Sequence, residues 1–153
     1  MVTKLQLRPA TMQDADCLFA WRNDPETRKA SHNTDEVLLQ THMEWLAGSL
    51  ENPRRRLLVA EENGVPVGTV RADYSSGVWE LSWIVAPDAR GRGVAKTMVL
   101  EMASTIDEPI RAEVKVGNQS SARIAKFAGM KLVDEVDGVL HFRRLDIAHK
   151  KTR

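Results

Sequence analysis

The chain opens on LQLR, a short alternation of apolar and polar residues that predicts a strand. Thr11, with Asp14 three residues on, has the form of a capping box with Asp in place of Glu. It predicts a helix over residues 12–23 that Pro25 ends. A second helix is expected after Thr34, with Val37, Leu38, Met43, Trp45 and Leu46 on its apolar side. The stretch RLLVAEENGVPVGTVRADYSSGVWELSWIV then holds three strand-like runs. Asn63-Gly64 and Ser75-Ser76-Gly77 join them, which predicts an antiparallel meander. Val94, Ala95, Met98, Val99, Met102 and Ala103 recur at helical spacing. IRAEVKV alternates again, as a half-buried strand does. A short helix over residues 120–128 stops at Gly129, and LVDEV and VLHFRRL flank Asp137-Gly138 as a terminal hairpin.

The predicted order is β, α, α, β, β, β, α, β, α, β, β. That implies an α/β (α+β) mixed sheet with helices packed on it. At 153 residues the chain makes one domain most economically, read here as residues 1–148 with a basic tail at 149–153. Lys plus Arg total 22 and Asp plus Glu 21, so the basic excess of a dedicated nucleic-acid binder is missing. A single cysteine, Cys17, excludes an internal disulfide framework and suits a reducing compartment. The N-terminal residues carry no long apolar run, and no stretch reaches the roughly 18 apolar residues of a membrane helix. The expectation is a cytoplasmic protein without a membrane partner.

One junction does not fit a plain β/α alternation. In IVAPDARGRGVAKTM, residues 84–98, a buried-looking strand breaks at a proline and resumes as a helix after RGRG. Glycines opening a helix let a ligand approach bare backbone N–H groups, and the helix dipole there attracts an anion, phosphate above all. Arg90 and Arg92 would add charge-assisted contacts. As a local feature the segment reads equally as a surface turn with two solvated arginines. It has no G-K-[ST] ending, so it is no nucleoside triphosphate loop, and Gly91, Gly93 and Lys96 do not complete G-x-G-x-x-G.

Arg90-Gly91-Arg92-Gly93-Val94-Ala95 resembles the R/Q-x-x-G-x-G/A signature of the GNAT superfamily of acyl-CoA-dependent N-acyltransferases. ELSWIVAPDARGRGVAKTMV is similar to that superfamily's cofactor-binding segment. NQSSARIAKFAGMKLV is similar to its later N-x-x-S…K-x-x-G-F element, with Met130 in place of Phe. The predicted element order is also the family's. The resemblance implies a central, mostly antiparallel mixed sheet with helices on both faces, and acetyl-CoA as co-substrate. Its pyrophosphate would lie over Arg90, Gly91, Arg92, Gly93, Val94 and Ala95, with Asn118 and Arg123 nearby. Its pantetheine arm would run beside Trp83, Ile84 and Val85, in a gap before the IRAEVKV strand. A backbone N–H near Val85 would polarise the thioester carbonyl. No metal is implied.

Acetyl transfer requires a neutral amine, a donor for the oxyanion and a proton or good solvation for the thiolate. Glu80, five residues before Val85, is the first candidate base; as a strand residue it reads equally as a solvated carboxylate. His42 is the second, since imidazole titrates near neutrality, against a plain helix-surface role. Many relatives place a tyrosine four residues before the final glycine. That position is Ala125, and the one tyrosine is Tyr74. Water, or a hydroxyl such as Ser120 or Ser121 positioned by Asn118, has to serve.

AWRNDPETRKAS and THMEWL resemble W-R-N-D-P and H-x-x-W-L signatures of transferases that acetylate amino-sugar nucleotides, including the pseudaminic acid type. That branch shades into ribosomal-protein N-terminal enzymes. The resemblance implies a small-molecule amine held by Trp21, Arg22, Asn23 and His42; as local features, Trp21 reads also as core and Arg22-Asn23-Asp24 as a helix end with its own capping bonds. Protein N-terminal amines and a non-catalytic acyl-CoA-binding module are the alternatives, and the expected assembly is a monomer or homodimer.

Overall fold

A computed structural model describes residues 4–145; the tail at 149–153 lies outside them. The first strand, β1 (Leu5–Pro9), leads into a single 3-10 turn, Met12–Asp14, and then α1 (Ala15–Asn23). The expected capping box forms: the Thr11 side chain accepts from the Gln13 N–H, and the Asp14 carboxylate accepts from the Thr11 N–H at 2.8 Å. Asp14 is buried, and Arg8 donates to both its oxygens at 2.7 and 2.8 Å. These hydrogen bonds hold its carboxyl below the usual range, with Arg8 the largest cause.

Pro25 does more than end α1. The Asp24 side chain caps a further helix, α2 (Pro25–Ala30), whose first residue is the proline, where a missing N–H costs nothing. The next helix, α3 (Leu39–Glu51), starts later than the sequence pattern suggests. Asn23 reaches across to Val37, accepting from its N–H at 2.7 Å and donating to its carbonyl at 2.8 Å. Those two bonds hold the segment before α3 outside the helix.

The meander follows as β2 (Arg55–Glu62), β3 (Val65–Ser75) and β4 (Val78–Val85). A 3-10 turn, Pro87–Ala89, leads to α4 (Val94–Ser104), then β5 (Ile110–Lys115) and α5 (Gln119–Phe127). The hairpin β6 (Lys131–Val136) and β7 (Val139–Arg144) closes the described chain. One seven-stranded sheet results, in the order β1-β2-β3-β4-β5-β7-β6. Every pairing is antiparallel except β4 with β5.

Helices cover both faces. A Cβ at Gly68 would lie 3.2 Å from the Met98 sulfur of α4, while Arg71 lies over the Trp45 ring of α3. Gly68 and Arg71 are three apart on one strand, so their side chains leave opposite faces. The α4 face holds Val70, Ala72, Leu81, Met98 and Met102, all at or near zero exposure. The α3 face packs Leu46, Leu57 and Val59.

Candidate active site

The parallel pair β4–β5 is in register at only two positions, Trp79 with Ile110 and Glu80 with Arg111. Beyond Glu80 the strands part. The Ala86 N–H donates to Val67 on β3 at 2.8 Å, and the Trp79 N–H donates to Pro109 on the β5 side at 3.0 Å. Backbone N–H groups alternate sides along a strand, so those of Trp83 and Val85 point away from β3 and into the opening. An N–H in such a gap is free to bind a carbonyl oxygen.

A cleft of about 950 Å³ runs through this gap. The N-terminus of α4 forms one end. Its N-cap, Gly93, has φ +79 in the left-handed region, and no side chain caps the helix. The first N–H groups are therefore available to a ligand. Gly91, Gly93, Val94 and Ala95 line the cleft, as do Trp83, Ile84 and Val85. This geometry fits a pyrophosphate at the helix end with an extended arm beside β4.

The arginines of the loop diverge. Arg90 lines the cleft and donates to Asp24 at 2.5 Å and to the Thr27 hydroxyl at 3.3 Å. That contact holds the Asp24 carboxyl below its usual range. Arg92 does not line the cleft: it donates to Glu62 at 2.8 Å, at the turn between β2 and β3. Of the two arginines expected at the ligand, only Arg90 lines the cleft.

Asn118, Ser120 and Arg123 line the cleft from the start of α5. The Asn118 side chain caps that helix, accepting from the Ser121 N–H at 3.2 Å. Ala125 is fully buried, and Tyr74 packs against Trp79 with ring centroids 5.0 Å apart, outside the cleft lining.

Glu80 lines the cleft on the α3 face and pairs with Arg111 at 3.0 Å. His42 does not line it. It is 4% exposed, with its ring 5.5 Å from Phe19 and 5.6 Å from Trp45. Burial, helped by the Arg22 charge, lowers its pKa and keeps it neutral. His42 is therefore neither at the cleft nor on the helix surface, because the apolar side of α3 turns it inward. Trp21 is a core residue at 7% exposure, and Asn23 is taken up by Val37. Of the four acceptor residues expected from sequence, only Arg22 lines the cleft.

Two cleft residues had no signal in the sequence reading. Arg71 on β3 stands opposite Ser82, and Glu113 on β5 holds His32 at 3.0 Å. Their strands alternate like any half-buried strand, and only the sheet brings them to the cleft. His32 lies beyond α2, and Lys115 donates to the Lys29 carbonyl at 3.0 Å. With Arg90–Asp24, these contacts tie α2 across the cleft from the α4 end to β5. Among the described residues no group of three His, Cys, Asp or Glu side chains could hold a metal.

The sequence matches the acetyltransferase (GNAT) domain family over residues 4–131. No match is found among curated protein sequences. Among solved structures, ribosomal-protein-alanine N-acetyltransferase from Brucella melitensis is 23% identical, with a TM-score of 0.78 over 92% of this chain and 99% of that one. Aminoglycoside acetyltransferase AAC(6')-Ib, in complex with coenzyme A, is 18% identical, with a TM-score of 0.80 over 98% and 99%. A ribosomal L7/L12 alpha-N-protein acetyltransferase, also in complex with coenzyme A, reaches 0.82 at 12% identity over 96% and 97%. At these identities the likeness is one of fold, whereas the family match spans most of the chain. The chain belongs to the acetyltransferase (GNAT) domain family.

Proposed function

We propose that this chain moves an acetyl group from acetyl-CoA to the primary amine of a small molecule, with an amino-sugar nucleotide as acceptor. The observation that carries the transfer is the parting of β4 from β5 beside an uncapped helix N-terminus. A pyrophosphate over Gly91, Gly93, Val94 and Ala95 directs the thioester towards Val85. The Val85 N–H then donates to the oxyanion as the amine nitrogen attacks the carbonyl carbon. The carbon–sulfur bond breaks, and the thiolate takes a proton from water or from the Ser120 or Ser121 hydroxyl. A thiol with a pKa near ~8.5 is a tolerable leaving group at neutral pH.

Glu80 is the proposed base, taking the proton the amine gives up. Its pairing with Arg111 at 3.0 Å orients the carboxylate. The acceptor reading draws on the WRND and H-x-x-W-L resemblance and on Arg22 in the cleft. A small acceptor is favoured over a protein N-terminus because α2 is tied across the cleft at both ends.

The test is an amine screen read by release of free CoA, comparing a nucleoside-diphosphate amino sugar with short peptides. Turnover on peptides alone would refute the sugar reading. Glu80→Gln should lower kcat by about 10²-fold or more with little change in the KM for acetyl-CoA. An unchanged kcat removes Glu80 from the chemistry.

A further inference from the structure

The α3 face of the cleft carries more positive charge than its own carboxylates neutralise. Asp73 accepts from Arg55 Nε at 2.6 Å and from Arg71 Nε at 2.9 Å, so one carboxylate serves two guanidiniums. Both stack on one indole: the Arg55 and Arg71 guanidinium carbons lie 5.6 and 5.5 Å from the Trp45 ring centre. Glu80, directly across from Asp73, is already held by Arg111. Arg71 uses only Nε for Asp73, and its two terminal nitrogens make no hydrogen bond among the described residues.

Arg22 lines the same cleft and has no carboxylate partner among the described residues. Its Nη2 donates to the Asn33 carbonyl at 2.9 Å, and its Nη1 is buried without a hydrogen-bond partner. Arg22 is half-buried, and its shielded, unpartnered Nη1 leaves a positive charge that an anion in the cleft would neutralise. Arg71 stands opposite Ser82, three residues from Val85 and so roughly 10 Å along the sheet from the carbonyl-binding N–H. An anion there and an amine at the thioester fit within one small molecule.

We propose that Arg71 and Arg22 form an anion-recognition site in the acceptor half of the cleft, and that the acceptor amine carries a phosphate or a carboxylate. Arg71, held over the Trp45 ring and fixed through Nε, is the specificity-determining residue, since its free fork can take two oxygens of one anion. The inference rests on the acyl transfer proposed above. A sugar nucleotide is one instance of the class, and an amino acid is another.

The experiment uses matched amine pairs in the CoA-release assay: glucosamine with glucosamine 6-phosphate, and an amino acid with its amide. The two pairs separate phosphate from carboxylate. Wild type should prefer the anionic member of at least one pair by tenfold or more in kcat/KM. In Arg71→Met that preference should fall at least tenfold, and Arg71→Lys should recover part of it. In parallel, protein saturated with CoA, which fills the helix-end phosphate site, is titrated with inorganic pyrophosphate. A rise in Tm in wild type that Arg71→Met and Arg22→Gln lose supports the site. No anion preference, or a preference that survives Arg71→Met, overturns it. If Arg71→Met does not fold, equal preference in wild type and Arg22→Gln overturns it instead. An Arg71-dependent pyrophosphate shift without CoA release from any amine would refute the transferase reading and retain the anion site.

Discussion

Asp24→Asn separates the two tasks of one carboxylate. Asp24 caps α2 through the Thr27 N–H at 3.2 Å and holds Arg90 at 2.5 Å. Asparagine caps a helix about as well as aspartate, so α2 should persist while the ion pair goes. If Arg90 is a pyrophosphate ligand, it must leave Asp24 when acetyl-CoA binds, and the free energy of that pair is subtracted from the affinity. The Arg90 side chain is 34% exposed and that of Asp24 16%. A pair this open to solvent contributes about 0.2–1 kcal/mol. Removing the competition should therefore tighten acetyl-CoA binding by about 1.4- to 5-fold, taking RT as ~0.6 kcal/mol. Loss of a negative charge beside a pyrophosphate acts in the same direction. Glu26, 3.9 Å from Arg90 and largely exposed, is too weakly placed to replace Asp24. Titration calorimetry with acetyl-CoA measures the effect, and it should shrink at higher salt. Weaker or unchanged binding in a folded Asp24→Asn protein would show that Arg90 does not move from Asp24 to the cofactor.

Two further predictions concern stability. Burial lowers the His42 pKa, so the unfolded chain gains a proton there as pH falls below about 6.5 while the folded chain does not. This residue's contribution is whole above that pH and is lost in acid. His42→Phe should flatten the decline of Tm between about pH 7.5 and 5.5, and an equally steep decline would place its titration elsewhere. At Gly68 a Cβ would lie 3.0 Å from the Ile84 carbonyl oxygen and 3.2 Å from the Met98 sulfur. Overpacking costs about 1–3 kcal/mol and Gly→Ala otherwise gains about 0.4–1, so Gly68→Ala should lower Tm by about 2–4 °C per net kcal/mol lost. A Tm at or above wild type would show that β4 yields freely at the site.

Much of the fold was legible because its signals are local. Asn63 and Asp137 take φ +55 and +51, each followed by a left-handed glycine, and these turns set the hairpins as their dipeptides suggest. The helix after RGRG begins at Val94, as its spacing implies. The miss at α2 has a physical origin: Asp-Pro ends one helix and begins another with the same residues. The late start of α3 rests on Asn23 bonding Val37 fourteen residues away. No window of periodicity contains that pair.

The site divides along the same line. The elements proposed for the cofactor lie mostly on one continuous stretch, residues 83–95, so a motif could carry them. The proposed acceptor half is assembled from α1, β3, β4 and β5, and alternation alone gives Arg71 the look of a solvated strand residue. Helical pattern likewise gave no sign that His42 turns inward. Yet the WRND segment and the RGRG loop, read apart in the sequence, are physically joined through Asp24 and Arg90. Trp21 anchors α1 in the core and Asn23 fixes the chain before α3, so both hold Arg22 and Asp24 where the cleft needs them. A segment can thus resemble an acceptor-binding motif while most of its residues act by position. In the proposed anion site the charge is then left to Arg22 on α1 and to Arg71 on β3.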